Sequence, residues 1–177
     1  MRVKGMILLL TAALAAVLLQ ILSHALTKPM LFLSGSQLMA ASGGHQDFHS
    51  LRSAGHRDPV AGVVFTIGSL SMVGIPLFAG FIPKLYFALA SFQMGWRTWA
   101  VLAALAISTL LNVLYFLYTA MVLWLPQKEN ALHHVHQRSW YKAIPAVLLL
   151  AIGLAIGIHS APLTALLQQG FALFCQY

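Results

Sequence analysis

Residues 65–87 read FTIGSLSMVGIPLFAGFIPKLYF, an apolar stretch that holds a lysine and several residues unsuited to a continuous helix. Gly74, Pro76, Gly80 and Pro83 cannot all lie inside one helix, because proline removes a backbone donor and glycine weakens a helix interior. Irregular backbone at membrane depth is tolerated only where protein or water covers it. The stretch therefore predicts a discontinuous or re-entrant membrane helix that resumes near Pro83, since proline suits a first helical turn.

The rest of the chain has the same apolar character. It contains 177 residues, of which 60% are hydrophobic and 7% charged, and its mean hydropathy is +0.84. Soluble domains carry about 25% charged residues, and roughly 20 apolar residues in a helix cross a hydrocarbon layer. The apolar blocks lack the alternation of membrane strands. We therefore predict an all-α polytopic helix bundle, a single membrane domain over residues 1–177 embedded in the lipid bilayer.

About five membrane spans are predicted from the apolar blocks. They cover about residues 6–39, 60–75, 82–93, 98–125 and 143–158, and a modest tail follows from residue 161. The first block would be roughly 50 Å long as one helix, so it must tilt, protrude or break, and Pro29 is the predicted breakpoint. Because this block runs on through Lys28 without a small-residue cleavage site, we expect a membrane helix and not a secretion signal.

The net charge of +7 indicates membrane orientation and not nucleic-acid binding. The lysines and arginines are scattered over helix ends and loops and accompany no recognition motif, so no nucleic-acid partner is expected. Five crossings would divide the charges between one side, with Arg2, Lys4, Lys128, Arg138 and Lys142, and the other, with Arg52, Arg57 and Arg97. The positive-inside rule makes the first side cytoplasmic. We expect a multi-pass protein of the cell (inner) membrane.

No metal site or cofactor is expected from the sequence. Cys175 is the single cysteine, so it can form neither an internal disulfide nor a four-ligand zinc site. The histidines of the HHVH run, His133, His134 and His136, resemble metal ligands, but histidines in a polar loop without a cysteine are more often solvated. The chain also has no phosphate loop, dinucleotide fingerprint or hydrolase motif.

Two lysines within apolar blocks are the main functional candidates. An ionisable group at membrane depth costs at least about 2.5 to 3.5 kcal/mol, which usually has a functional reason, although either lysine could snorkel to a headgroup. Lys28 shares a helical face with Gln20, Ser23, His24 and Thr27. Because His24 and Lys28 are four residues apart, they are neighbours that could exchange a proton through water. The alternative for His24 is a buried histidine satisfied by one hydrogen bond.

Lys84 follows Pro83 and is predicted at the N-terminal end of a half-helix, where the positive dipole end disfavours another positive charge. Backbone groups freed by the break could hold water there; the alternative is a kinked hairpin with a snorkelling lysine. A second polar face, of Ser108, Asn112, Tyr115 and Thr119, could support such a path or hold helices together by hydrogen bonds.

Two segments carry a family resemblance. SHALTKPMLFLSGS, residues 23–36, resembles the His-Ala-x-x-Lys-x-x-Leu-Phe-Leu-x-x-Gly segment of the proton-conducting antiporter-like subunits. These include membrane subunits of respiratory complex I, of multi-subunit sodium/proton antiporters and of membrane-bound hydrogenases. Residues 65–87 resemble the family's Gly-Ile-Pro-x-x-x-Gly-Phe-x-x-Lys segment, and the intervening DFHSLRSAGHRDP fits the usual short loop. The order and spacing of the segments agree.

The resemblance implies that His24, Lys28 and Lys84 relay protons, or sodium, in a complex with other membrane subunits driven by redox chemistry or antiport. The chain would not be catalytic alone, but a subunit of a quinone oxidoreductase-type or hydrogenase-type translocase. Pro29 and Pro83 depart from the commonest family residues. The likeness covers about residues 12–119, the last third or so of a member built from two inverted repeats.

The first repeat and its glutamate and lysine are absent, so we expect a split subunit completed by another chain, or a truncated reading frame. The alternatives are a structural or assembly subunit, a remnant without transport activity, and an unrelated transporter or membrane enzyme that uses the loop histidines.

Overall fold

A computed structural model describes residues 2–92, 94–126 and 140–174, and all the regular elements in those ranges are helices. They are α1 (Arg2–Ala41), α2 (Ala54–Arg57), α3 (Pro59–Val73), α4 (Phe81–Ser91), α5 (Arg97–Asn112), a π-helical segment (Val113–Leu117), α6 (Tyr118–Trp124), α7 (Trp140–Ile158) and α8 (Ser160–Phe174). The predicted all-α helical membrane bundle is confirmed.

Two continuous helices are long and apolar enough to cross a membrane. They are Leu10–Ala41 within α1 and Arg97–Trp124, which joins α5, the π segment and α6. The helices α7 and α8 meet at a bend of 72° and count as a third span if they cross as one unit. The tail is thus largely helical, whereas α3 and α4 are shorter apolar helices that flank the break. The division into five separate crossings stays a prediction.

Of the three possibilities for the first block, a break at Pro29 is not the one that the structure has. The helix α1 runs for 40 residues with Pro29 inside it, so at 1.5 Å per residue it is roughly 60 Å long and must tilt or protrude. Pro29 is exposed, and α1 packs against α3, α4, α7 and α8 along its length. One backbone hydrogen bond lost at a proline is a small penalty beside this burial, so tertiary packing overrides the local tendency to break.

Close packing between α1 and α3 depends on a glycine. A Cβ atom added at Gly68 would lie 2.7 Å from the Met30 side chain and 2.9 Å from that of Leu31. Met30 and Val64 form one buried cluster with Ala146 of α7, so α1, α3 and α7 share a core.

The predicted helix break is present between α3 and α4. Gly74 ends α3 with a φ of 88°, and its N–H donates to the carbonyls of Leu70 and Ser71. The connection then turns back so closely that a Cβ on Gly80 would lie 1.9 Å from the Ser71 carbonyl oxygen. Pro83 lies in the first turn of α4, where its missing N–H leaves no helical bond unmade. The break is therefore a defined turn between two half-helices.

Candidate functional site

The Lys84 side chain bridges the helix break. Its Nζ donates to the Val73 carbonyl at 2.7 Å, to the Met72 carbonyl at 3.1 Å and to Thr109 Oγ1 at 3.3 Å. The last carbonyls of a helix have no intrahelical donor and carry the negative end of its dipole. The half-buried ammonium group therefore neutralises the C-terminal end of α3.

The environment of Lys84 involves both half-helices. Its backbone does lie near the N-terminal end of α4, but the side chain crosses the break to the opposite dipole end, that of α3. Gly74 makes the crossing possible, because a Cβ there would lie 2.9 Å from Lys84 Cδ and 3.1 Å from Nζ. The break glycine thus provides both the left-handed backbone and the space for the lysine.

The polar face of α1 divides into two parts. Ser23 and Thr27 are buried, whereas Gln20, His24 and Lys28 border an open groove of about 620 Å³. Gln20 Nε2 donates to His24 Nε2. Gln20 Oε1 and His24 Nδ1 are buried without a hydrogen-bond partner in the described part of the chain. Lys28 is exposed in this chain alone, so its predicted burial is not observed.

Lys28 also borders a cavity of about 440 Å³ between α1, α3, the π segment and α6. Tyr115 and Thr119 of the second polar face line this cavity, and so does Met72, whose carbonyl accepts a hydrogen bond from Lys84. The cavity therefore extends from Lys28 to the end of α3 at which Lys84 is bound.

The second polar face differs in exposure along its length. Ser108 is exposed and Asn112 half-buried, while Tyr115 and Thr119 contribute to the cavity that contains Lys28. The π segment Val113–Leu117 lies within this face, and a turn closed by i→i+5 hydrogen bonds contains more residues than an α-helical turn. The alignment of the four side chains stays a prediction.

The three predicted relay residues lie on two helices that pack together. His24 and Lys28 belong to α1 and Lys84 to α4, which contacts α1. Ammonium and imidazole groups accept and release protons, and the irregular backbone at the break suits water. The loop histidines His133, His134 and His136, and Cys175, lie outside the described residues.

Sequence reasoning missed Thr109 and the two carbonyls that bind Lys84. Thr109 is three residues before Asn112, so the spacing used for the second polar face would also have admitted it. No feature of the sequence indicated the roles of Met72 and Val73. They bind Lys84 through backbone carbonyls, which every residue has, so their role depends on the fold and not on the side chain.

These features define a polytopic helical membrane protein whose ionisable side chains gather around a broken helix. Residues 4–112 match the family described as NADH:quinone oxidoreductase/Mrp antiporter, TM. This match includes both segments that carried the resemblance, and the chain belongs to this family.

Three relatives illustrate the membership. The chain is 30% identical over 116 residues to NADH-quinone oxidoreductase subunit N of Ectopseudomonas mendocina, a match to 64% of this chain and 23% of the relative. It is 26% identical over 143 residues to NADH-ubiquinone oxidoreductase chain 5 of Metridium senile, covering 79% and 24%. Subunit N 1 of Streptomyces griseus is 29% identical over 146 residues, covering 81% and 30%. The chain thus spans less than a third of the length of these relatives.

Proposed function

We propose that this chain is a proton-translocating membrane subunit of a complex I-like, hydrogenase-like or multi-subunit antiporter complex, with sodium as the alternative ion. The observation that carries the proposal is the bridge from Lys84 to the end of α3, beside the cavity that contains Lys28. His24 on α1 completes a set of three proton-exchanging groups. The family membership supports the same function.

In this mechanism His24, Lys28 and Lys84 hold protons in turn. Two ammonium groups near one imidazole repel one another, so a proton that arrives at one group favours the departure of a proton from another. Water in the cavity would carry protons between Lys28 and the break. The energy comes from redox chemistry or an ion gradient elsewhere in the complex, and this chain makes no redox chemistry itself.

We also infer that other membrane subunits cover the outer face of α1. Lys28 in contact with lipid would cost about 2.5 to 3.5 kcal/mol, and Gln20 Oε1 and His24 Nδ1 lack partners in the described residues. The exposed side chains of Ile21 and Phe32 flank this polar group and would be buried by the same contact. The relatives are named as subunits of NADH-quinone and NADH-ubiquinone oxidoreductases. The cell (inner) membrane is the proposed location.

The test is proton uptake by vesicles that contain the assembled complex, followed with a pH-sensitive dye and normalised to the amount of complex. Lys28→Ala and Lys84→Ala should each reduce the rate at least about tenfold, because the proton-carrying group is removed. Arg97→Ala is the control, since it removes an exposed cation at the start of α5. Transport at the normal rate with Lys28→Ala would overturn the proposal.

The same experiment addresses a structural or assembly role. The hydrogen bonds of Lys84 to two carbonyls of α3 would also stabilise the break in a subunit without transport. In that case both lysine variants lower the amount of assembled complex, while the transport rate per complex stays unchanged.

A further inference from the structure

We propose that Thr109 is a positioning residue for Lys84, and that its hydroxyl group holds the ammonium group at the end of α3. This inference rests on the proposed function in that Lys84 is taken as an ion-carrying residue. It assigns a role to α5, a helix that otherwise presents mainly exposed apolar side chains.

The number of hydrogen bonds carries the argument. An ammonium group has three donors, and Lys84 Nζ has three acceptors: the Val73 carbonyl, the Met72 carbonyl and Thr109 Oγ1. Two acceptors belong to α3 and the third to α5. Without the hydroxyl group, one N–H of a half-buried cation would lack its partner, which is costly away from water.

The hydroxyl group of Thr109 accepts a hydrogen bond from a charged side chain of another helix. Those of Ser69 and Thr119 instead donate to the carbonyl four residues earlier in their own helix. Such bonds satisfy a hydroxyl group locally and connect no elements. Thr109 instead accepts a hydrogen bond from a side chain of α4, which makes it a link between α4 and α5.

Thr109 also lies where α5 changes into the π segment. Its backbone carbonyl accepts a hydrogen bond from the N–H of Val113, and Val113 is the first residue of that segment. Tyr115 in the segment lines the cavity that contains Lys28. One residue thus contacts the lysine of the break through its side chain and the first residue of the π segment through its backbone.

The test compares Thr109→Val, which keeps the shape but removes the acceptor, with Thr109→Ser, which keeps the acceptor. Thr164→Val is the control, because that buried hydroxyl group donates to a carbonyl of its own helix, α8, and lies outside the cavity that contains Lys28. In the assembled complex, Thr109→Val should lower proton transport about tenfold, while Thr109→Ser and Thr164→Val stay near the wild-type rate. A purely packing role predicts the opposite order, since valine fills the same volume.

A second measurement does not depend on transport. With ¹⁵N-labelled lysine in the full chain in lipid nanodiscs, the Lys84 ammonium protons should exchange with water faster in Thr109→Val than in Thr109→Ser. The inference is overturned if the Lys84 ammonium protons exchange at the same rate in Thr109→Val and Thr109→Ser. It is also overturned if these two variants transport protons equally well while Lys84→Ala abolishes transport. If Lys84→Ala transports normally, the proposed function fails, and the exchange difference still decides whether Thr109 positions Lys84.

Discussion

The substitution Gly74→Ala tests the central contact of the break, the passage of Lys84 over the end of α3. The added methyl group would force alanine to adopt a φ of 88°, which costs about 1 to 2 kcal/mol. It would also lie 2.9 Å from Lys84 Cδ and 3.1 Å from Nζ. Displacing the ammonium group from a carbonyl adds about 1.5 to 3 kcal/mol, so we expect a total loss of about 2.5 to 5 kcal/mol.

Substitutions at two other glycines distinguish the backbone strain from the clash with Lys84. Gly44 has a φ of 85° with no atom within 4 Å of an added Cβ, so Gly44→Ala carries the backbone strain alone. Gly153 lies within α7 and also has no atom within 4 Å of an added Cβ, so Gly153→Ala should be neutral or stabilise by about 0.5 to 1 kcal/mol.

The assay is unfolding of the full chain in mixed micelles by increasing SDS, followed by circular dichroism. Gly74→Ala is measured in the wild-type and in the Lys84→Ala background, where only the backbone strain should remain. The difference between the two backgrounds should be about 1.5 to 3 kcal/mol. Gly74 does not make room for Lys84 if Gly74→Ala costs no more than Gly44→Ala, or if Gly74→Ala and Lys84→Ala are additive within about 0.5 kcal/mol.

Further predictions concern the turn at the break and the loop before α3. Gly80→Ala should prevent the close approach of the two half-helices, since its Cβ would lie 1.9 Å from a carbonyl oxygen of α3. It should therefore lower the melting temperature much more than Gly153→Ala does. Asp58→Ala should cost about 1 kcal/mol by chemical unfolding, because the buried carboxylate caps α3, and Asp58→Asn should cost less. The Ser50 hydroxyl and amide hold the pKa of the Asp47 carboxyl below its usual range. Ser50→Ala should raise that pKa in an NMR titration, and in the wild type the stabilisation of this loop should be lost as pH falls through the folded-state pKa; an unchanged titration would contradict the contact.

Much of the fold follows from local sequence. The break was predictable because Gly74, Pro76, Gly80 and Pro83 violate helix geometry whatever surrounds them. Pro29 shows the limit of the same rule, since packing along α1 keeps the helix continuous through it. A local penalty predicts a break only where tertiary contacts do not outweigh it.

The sequence indicated which residues belong to the candidate site better than it indicated how they are arranged. His24 and Lys28 are adjacent because four residues make one helical turn, a relation that needs no tertiary information. The π segment that contains Tyr115 was not predicted, because an apolar helical sequence gives no warning of it.

Residue pattern was enough to identify an apolar helix bundle, to locate a helix break near residue 74, and to find the ionisable residues within apolar segments. These properties depend on composition and on the conformational limits of glycine and proline. Three contacts became visible only once the helices were packed: the Lys84 ammonium on the end of α3, its hydrogen bond to Thr109, and the cavity that Lys28 shares with Tyr115. They join segments far apart in sequence, whose relative positions depend on how the helices pack.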